Sequence, residues 1–275
     1  MLFFEQAKDD TQVRELFNNL NKNPHKAFKK HFLKSIHLEI GFSSVSTESL
    51  LLQESALKLG LANNFGLKIC KRLNRANVAL TNLSDKEMKI TNHSTTLGLI
   101  FSTENQKREL QVLSDRIVYS DHEYTGFTDL KTSLRGQLSF LFKTLNIPED
   151  VNKIGFRKIN SVRVDEATSY EDATAIFNPA LFAVTNTGFF SPDALNSIES
   201  NLALEKDKKK FILRTNISKA SEAASYICNL DFDLIDQNIN KLDYVFDTVL
   251  PEINQLHCDL FIWAVTNDLI KVMEV

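Results

Sequence analysis

The sequence predicts an α+β fold of two similar halves, each an antiparallel sheet with a long amphipathic helix. Several segments alternate apolar and polar residues with a period of two, which is typical of half-buried strands. Two leucine-rich segments, near residues 129–147 and 238–263, instead have helical spacing. Polar turn residues separate the extended segments, and tight turns can join only antiparallel strands. These three observations together favour sheets backed by helices.

The chain is predicted to begin with two helices. Thr11 can cap a first helix, and Pro24 can start a second, basic helix because a first turn does not need its missing N–H. From Ile36 to Phe42 the period changes to two, which predicts a strand. Residues 46–59 return to helical spacing.

Three extended segments follow, at residues 65–73, 88–101 and 109–119, and we expect them to form an antiparallel meander. The pair Asn63-Asn64 precedes them and is interpreted as a turn, because Asn tolerates left-handed backbone. Asp129 is expected to cap a leucine-rich helix that ends at Ile147, before Pro148.

The same order then starts again. Residues 153–164 are extended, Asn178-Pro179 and Ser191-Pro192 indicate short helices, and residues 210–217 and 224–235 are predicted strands. A final helix begins near Asn238 and should kink or restart at Pro251.

The chain therefore divides into a helical segment (1–34), a first α+β half (35–147) and a second α+β half (148–275). The repeated order of elements suggests an internal duplication, although residue identity between the halves is negligible. Either one continuous sheet or a closed barrel is compatible with this pattern.

Composition excludes several classes of protein. The 275 residues contain 32 Lys plus Arg and 35 Asp plus Glu, a formal net charge of −3, which argues against a polyelectrolyte. Three widely spaced cysteines form no CxxC pair, so a zinc ribbon or a secreted disulfide framework lacks support. We expect a reducing, cytoplasmic location without a membrane segment, because every apolar run is too short to span a bilayer.

The segment Lys153-Ile154-Gly155-Phe156-Arg157-Lys158-Ile159-Asn160 resembles a signature of basic, apolar, Gly-Leu-Arg-Tyr-apolar-Asn residues on a mid-chain strand. Tyr124 to Phe127 is similar to a Tyr-x-Gly-Trp motif, and Leu230 to Asp233 to a late apolar-Asp-apolar-Asp strand. Residues 256–274 are similar to the carboxyl-terminal helix of the same proteins. These are an uncharacterised, sporadically distributed family of bacterial proteins of about this length.

The resemblance covers most of the chain from Phe32 onward, with departures. Phe156, Lys158 and Phe127 replace the family's Leu, Tyr and Trp, and residues 34–37 lack its Pro and Glu. The resemblance implies a bacterial, cytoplasmic protein, and its patchy distribution fits carriage on mobile-element or defence loci.

The candidate binding residues are polar side chains on two predicted strands. Arg157 and Arg163 should share a strand face about 20 Å apart, with Asn160 on the other face. Arg157 can bind an anion, or it can pair with Asp231 or Asp233 and fix strand register. The two aspartates, about 7 Å apart on one face, can hold Mg²⁺ or perform acid–base chemistry, or can simply pair with an arginine.

Other polar motifs give weaker signals. His257 and Cys258 diverge on a helix and form no catalytic dyad, so we expect a capped or core-edge histidine and a small buried thiol. His25 and His31 miss the spacing of a helical metal pair. Residues 25–34 mix aromatic residues with cations; the cations are Lys26, Lys29, Lys30 and Lys34. This composition is typical of surfaces that bind nucleic acid or anionic membranes, but it also fits a solvated helix face.

No catalytic or phosphate-binding motif occurs in the sequence, so no catalytic residue, metal or cofactor is predicted. The leading hypothesis is a non-enzymatic module that binds another protein, or a second copy of itself, through the sheet surface or the amino-terminal helices. One alternative is a nucleotide- or metal-dependent enzyme or regulator that uses Arg157, Asp231 and Asp233 in a cleft between the halves. Another is a nucleic-acid-binding protein that uses residues 25–34.

Overall fold

The computed structural model describes residues 14–17, 20–23, 28, 32–84, 87–182, 197–220, 225–238 and 240–274. For residues 15, 76–84 and 87–93 it describes the backbone alone. Over these residues the fold is α+β, with a ten-stranded antiparallel sheet that is not closed into a barrel, so the barrel alternative is wrong. Within the described residues, no helix combines the length and apolar character needed to cross a bilayer.

Contacts within the chain define two compact units. The first unit comprises Ser35–Ile154 and Ile239–Phe246, and the second comprises Met1–Lys34, Gly155–Asn238 and Asp247–Val275. The boundaries predicted after residues 34 and 147 remain sequence predictions, and each unit is described by itself below.

Up to Leu145, the described residues of the first unit form five strands and three helices. Its strands are β1 (Leu33–Phe42), β2 (Ile69–Ser84), β3 (Glu87–Ser102), β4 (Arg108–Leu113) and β5 (Arg116–Asp121), hydrogen-bonded in the order β2-β3-β4-β5-β1. Its helices are α1 (Thr47–Leu52), α2 (Glu54–Phe65) and α3 (Phe127–Leu145). The predicted alternation in β1 is confirmed, because Ile36, Leu38, Ile40 and Phe42 are all buried.

The long helix packs on this sheet through its leucine face. Leu130, Leu134, Leu138 and Leu141 are buried, and the Phe42 and Phe142 rings meet edge to face at 5.5 Å. Helix α2 lies close to α3, since a Cβ on Gly60 would come within 2.1 Å of the Phe140 ring. The expected cap is wrong, because Gly126 caps α3 and Asp129 lies in the first turn.

Three expectations for the first unit need correction. The predicted strand at residues 109–119 is two strands, because Ser114 and Asp115 form a turn between β4 and β5. The predicted strand at residues 65–73 begins only at Ile69, since α2 continues to Phe65. Asn63-Asn64 lies inside that helix, and the left-handed position is Gly66, with φ of 71°.

The second unit contains most of β6 (Asp150–Asp165) together with three further strands and several short helices. Helix α4 (Tyr170–Thr174) and a 3₁₀ turn (Pro179–Phe182) precede β7 (Ser197–Lys206), β8 (Lys209–Lys219) and β9 (Ser225–Asp236). The strand order in this unit is β6-β9-β8-β7. The 3₁₀ turn is the short helix expected at Asn178-Pro179, whereas Ser191-Pro192 lies outside the described residues.

The chain then returns briefly to the first unit. Strand β10 (Asn240–Lys241) pairs with the start of β6, and α5 (Leu242–Tyr244) follows it. A π-helical turn, Val245–Val249, leads into α6 (Leu250–Ala264) and α7 (Asn267–Glu274). Pro251 lies in the first turn of α6, directly after the π-helical turn, where its missing N–H is tolerated.

The core of the second unit lies on one face of its sheet. The even-numbered residues of β9, from Tyr226 to Leu234, are buried as predicted, and Phe211 and Phe232 stack with centroids 6.4 Å apart. Ile253, Leu256 and Leu260 of α6 are buried as well. The odd-numbered residues of β9 lie on the opposite face, where the candidate site is found.

Candidate functional site

Four charged side chains form a row on the polar face of the second unit's sheet. Arg214 on β8 is directly opposite Asp231 on β9, and Asp233 is opposite Ile212. Arg157 reaches the same carboxylate from β6. We call Arg157, Asp231, Arg214 and Asp233 the Arg–Asp ladder.

Asp231 is the centre of this ladder. Arg157 donates two hydrogen bonds to Asp231, from Nε to Oδ1 at 2.8 Å and from Nη2 to Oδ2 at 2.6 Å. Arg214 Nη1 donates to Asp231 Oδ2 at 3.2 Å and lies 3.7 Å from Asp233 Oδ2. One carboxylate thus holds two guanidinium groups in fixed positions, and its contact with Arg157 has the bidentate geometry that arginine favours.

The two ends of each ion pair differ in exposure. The Asp231 side chain is 9% exposed, whereas those of Arg157 and Arg214 are 38% and 37% exposed. The hydrogen bond to Asp231 raises the pKa of Arg157 above its ordinary value, against the opposing effect of burial. Both carboxylates of the ladder therefore lie beside arginine, and the two arginine side chains are the more exposed members of the ladder.

Asn160 and Arg163 do not join the ladder. Asn160 is buried on the other face, as predicted, with Nδ2 3.5 Å from the Leu230 carbonyl oxygen. Arg163 lies near the end of β6, where it donates to Asp165 at 2.8 Å and to Ser225 Oγ at 3.4 Å. Three of the five predicted binding residues therefore lie together. Arg157 pairs directly with Asp231, and Arg214 lies beside both Asp231 and Asp233.

Arg214 was not singled out by the sequence. It lies in a predicted strand whose apolar alternation places it on the polar face, but its pairing with Asp231 depends on the register of β8 against β9. Of the basic segment, Lys34 is described and exposed at the start of β1. Lys26, Lys29 and Lys30 lie outside the described residues.

A second polar cluster lies between β6 and α6. Lys158 takes a position on the core face and donates to Asn254 Oδ1 at 2.7 Å, with Nζ 5.3 Å from the Phe156 ring centroid. Burial lowers the pKa of Lys158 to about 8. Apolar surroundings favour the neutral amine over the charged ammonium group. The sequence analysis did not single out Lys158.

His257 belongs to the same cluster and is buried. Its Nδ1 lies 3.0 Å from the Ile253 carbonyl oxygen and its Nε2 3.1 Å from that of Phe232. Burial, followed by the nearby Lys158 charge, lowers the pKa of His257 to about 3. The neutral ring therefore lies between α6 and β9 and donates its single N–H to one of these two carbonyl oxygens. Cys258 is only half-buried, so its expected burial is wrong.

The first unit has an imidazole–hydroxyl cluster of its own. His37 Nδ1 lies 2.9 Å from Ser120 Oγ, and Nε2 lies 3.2 Å from Ser35 Oγ. A hydroxyl beside an imidazole resembles a nucleophile–base pair. In this cluster the second ring nitrogen also contacts a serine hydroxyl. A hydroxyl group does not stabilise an imidazolium as a carboxylate would.

Within the described part of the chain, no three His, Cys, Asp or Glu side chains are grouped as metal ligands would be. Comparison with known proteins adds no relative: no protein-family model matches the sequence, and no curated protein matches it significantly. The resemblance of this chain to the bacterial family therefore has the motif residues described above as its support.

Proposed function

We propose that this chain is a non-enzymatic binding protein whose protein partner docks on the polar face of the second unit's sheet. The observation that carries the proposal is the Arg–Asp ladder. Asp231 holds the guanidinium groups of two arginine side chains that are each more than a third exposed. Arginine is enriched at the energetic centres of protein interfaces, where fixed donors reduce the entropy lost on binding.

The surroundings of the ladder also suit a protein partner. Half-buried Ile212 and Ile235 lie on the same face, and Asn216 donates to Glu199 beside it at 2.9 Å. Apolar side chains next to oriented polar groups are the usual composition of a protein interface. Acid–base chemistry is less well supported, because both ladder carboxylates are engaged by arginine.

Co-purification of a tagged chain from its native host tests this proposal. We expect one partner to be retained by the wild-type protein and lost, by at least about tenfold, in Arg157→Ala and Arg214→Ala, since a central arginine contributes about 1.4 kcal/mol or more. Arg135→Ala is the matched control, because that side chain is 39% exposed and paired with Asp243 in the first unit.

Two outcomes contradict the proposal. One is a partner that all three variants retain equally. The other is stabilisation of the wild-type protein by a nucleotide or a divalent metal that disappears in Asp231→Ala, which favours the enzyme or regulator alternative. Salt-dependent DNA binding abolished by Lys29→Ala with Lys30→Ala favours the nucleic-acid alternative.

We further propose a cytoplasmic location in a bacterial cell, carriage on mobile-element or defence loci, and an origin of the two halves by duplication. Cys70, Cys228 and Cys258 form no disulfide in the described structure, which supports a reducing compartment. The repeated strand–helix order supports the duplication. The resemblance through residues 153–160 supports the bacterial origin and the genetic context.

A further inference from the structure

Strand β7 is the last strand in the order of the second unit's sheet, as far as the described residues show. Its ten residues, Ser197–Lys206, pair with β8 in unbroken antiparallel register from Ser197 opposite Ser218 to Lys206 opposite Lys209. In the part of the chain that the structure describes, β8 is the one strand paired with β7, which ends the strand order of the second unit. An edge strand of this length presents a row of backbone donors and acceptors to a further strand.

The side chains of β7 leave apolar surface uncovered as well. Ile198, Leu202 and Leu204 continue the core face, because they lie opposite Ile217, Leu213 and Phe211 of β8. Leu202 is 49% exposed, and Ile198 and Leu204 are half-buried. A strand added beside β7 would cover these three residues.

We propose that a second copy of this chain pairs its β7 with this edge, antiparallel and centred on Asn201, so that the sheet continues across a symmetric dimer. This proposal is independent of the Arg–Asp ladder. In a two-fold antiparallel pair, opposite residues lie on the same face of the sheet. Only registers that pair even-numbered residues with even-numbered ones, and odd with odd, meet this condition, because alternate side chains of a strand point to opposite faces.

Charge then selects between the two longest registers of this kind. Centring on Leu202 places Glu199 opposite the partner's Glu205 twice, and like charges directly opposite are destabilising. Centring on Asn201 avoids this repulsion. It pairs Ser197 with the partner's Glu205, Ile198 with the partner's Leu204, Glu199 with the partner's Ala203, and Ser200 with the partner's Leu202.

The Asn201-centred register therefore buries β7's apolar residues without opposing like charges. Ile198 meets the partner's Leu204 on the core face at two symmetric places, and Leu202 is covered near the two-fold axis. Backbone hydrogen bonds supply affinity in this mode of association, and side-chain pairing supplies the register.

Single cysteines test the register in the full-length protein. Asn201→Cys places two thiols directly opposite each other, about 4.5–5.5 Å apart between Cβ atoms, so we expect a disulfide-linked dimer under mild oxidation. Leu202→Cys should cross-link at least about tenfold more slowly. Leu59→Cys, on an exposed position of α2, is the control for random collision, and the wild-type protein is the control for its three native cysteines.

Light scattering after gel filtration tests the dimer itself. We expect the wild-type protein to elute as a dimer at tens of micromolar, Leu202→Lys as a monomer with the wild-type circular dichroism spectrum, and Leu59→Lys as a dimer. A monomeric wild-type protein that also fails to cross-link through Asn201→Cys would overturn the proposal. Faster cross-linking of Leu202→Cys than of Asn201→Cys would overturn the Asn201-centred register.

Discussion

Asp231 determines the charge balance of the candidate site, because a single carboxylate faces two arginines. Its side chain is nearly buried while both guanidinium groups are about a third exposed. Removing it leaves Arg157 without its bidentate partner and leaves Arg214 with the longer contact to Asp233. The substitution removes a network of charge-assisted hydrogen bonds that is partly exposed to solvent. Its effect on the free energy of unfolding should therefore lie between that of a buried ion pair and that of a surface ion pair.

We therefore expect Asp231→Ala to lower the free energy of unfolding by about 1–2 kcal/mol in urea titrations at neutral pH. Asp243→Ala is the control, since that side chain is 74% exposed and also pairs with one arginine. Its effect should stay below about 0.5 kcal/mol. Equal effects of the two substitutions would show that Asp231 does not organise the ladder.

His257 predicts a pH dependence of stability. The unfolded chain binds a proton near the ordinary histidine pKa of 6.5, whereas burial lowers the pKa of His257 in the folded protein to about 3. The unfolded state therefore binds more protons between these values, so the contribution to stability is full above pH 6.5 and is lost as pH falls towards 3.

His257→Gln removes this titration. Below pH 6, we expect the wild-type free energy of unfolding to fall faster than that of the variant, by up to about 1.4 kcal/mol per pH unit. Urea titrations at several pH values between about 5 and 8 measure the difference. His122→Gln, at an exposed histidine, should keep the wild-type slope. Parallel curves for the wild type and His257→Gln would contradict the buried, neutral imidazole.

At the scale of elements, α6 anchors an amino-terminal segment through Asp259. This carboxylate is fully buried and accepts hydrogen bonds from the Arg14 guanidinium, the Asn23 backbone N–H at 2.8 Å, and Gln255 Nε2 at 3.1 Å. A buried charge needs several donors to offset its desolvation, and Arg14 and Asn23 supply theirs from a distant part of the chain. Asp259 therefore fixes where the segment before β1 lies on its own unit.

Asp259→Asn should loosen this anchor. We expect amide hydrogen exchange in a peptide that contains Asn23 to become about tenfold faster, because a charge-assisted hydrogen bond contributes about 1.5–3 kcal/mol. Mass spectrometry of exchange time courses measures the change. Asp268→Asn on α7, where the side chain is 89% exposed, is the control and should leave that peptide unchanged. Unchanged exchange in Asp259→Asn would show that other contacts hold the segment.

Elements were predicted best where one face is buried. In β9 the residues from Tyr226 to Leu234 alternate cleanly, because the core takes one face and solvent the other. Strand β7 was missed for the opposite reason. Its sequence contains few apolar residues, none of them is fully buried, and its strand conformation depends on pairing with β8.

For the whole molecule, composition and periodicity indicated the fold class but not the assembly of the sheet. Alternating strands and leucine-rich helices predicted an α+β protein, and the structure confirms this. The openness of the sheet depends on which strands pair over long sequence distances, and no local pattern encodes that choice. The predicted duplication stays a prediction for the same reason.

Burial periodicity is a local property, so the alternating strands, the amphipathic helices and the face of β9 that carries Asp231 and Asp233 could be predicted from the residues alone. Three features could not: Arg214 joins Arg157 at Asp231, Lys158 lies beside His257, and β7 ends the described strand order of its unit. Each of these depends on register between separate strands and helices, which is set by packing of the whole unit and not by neighbouring residues.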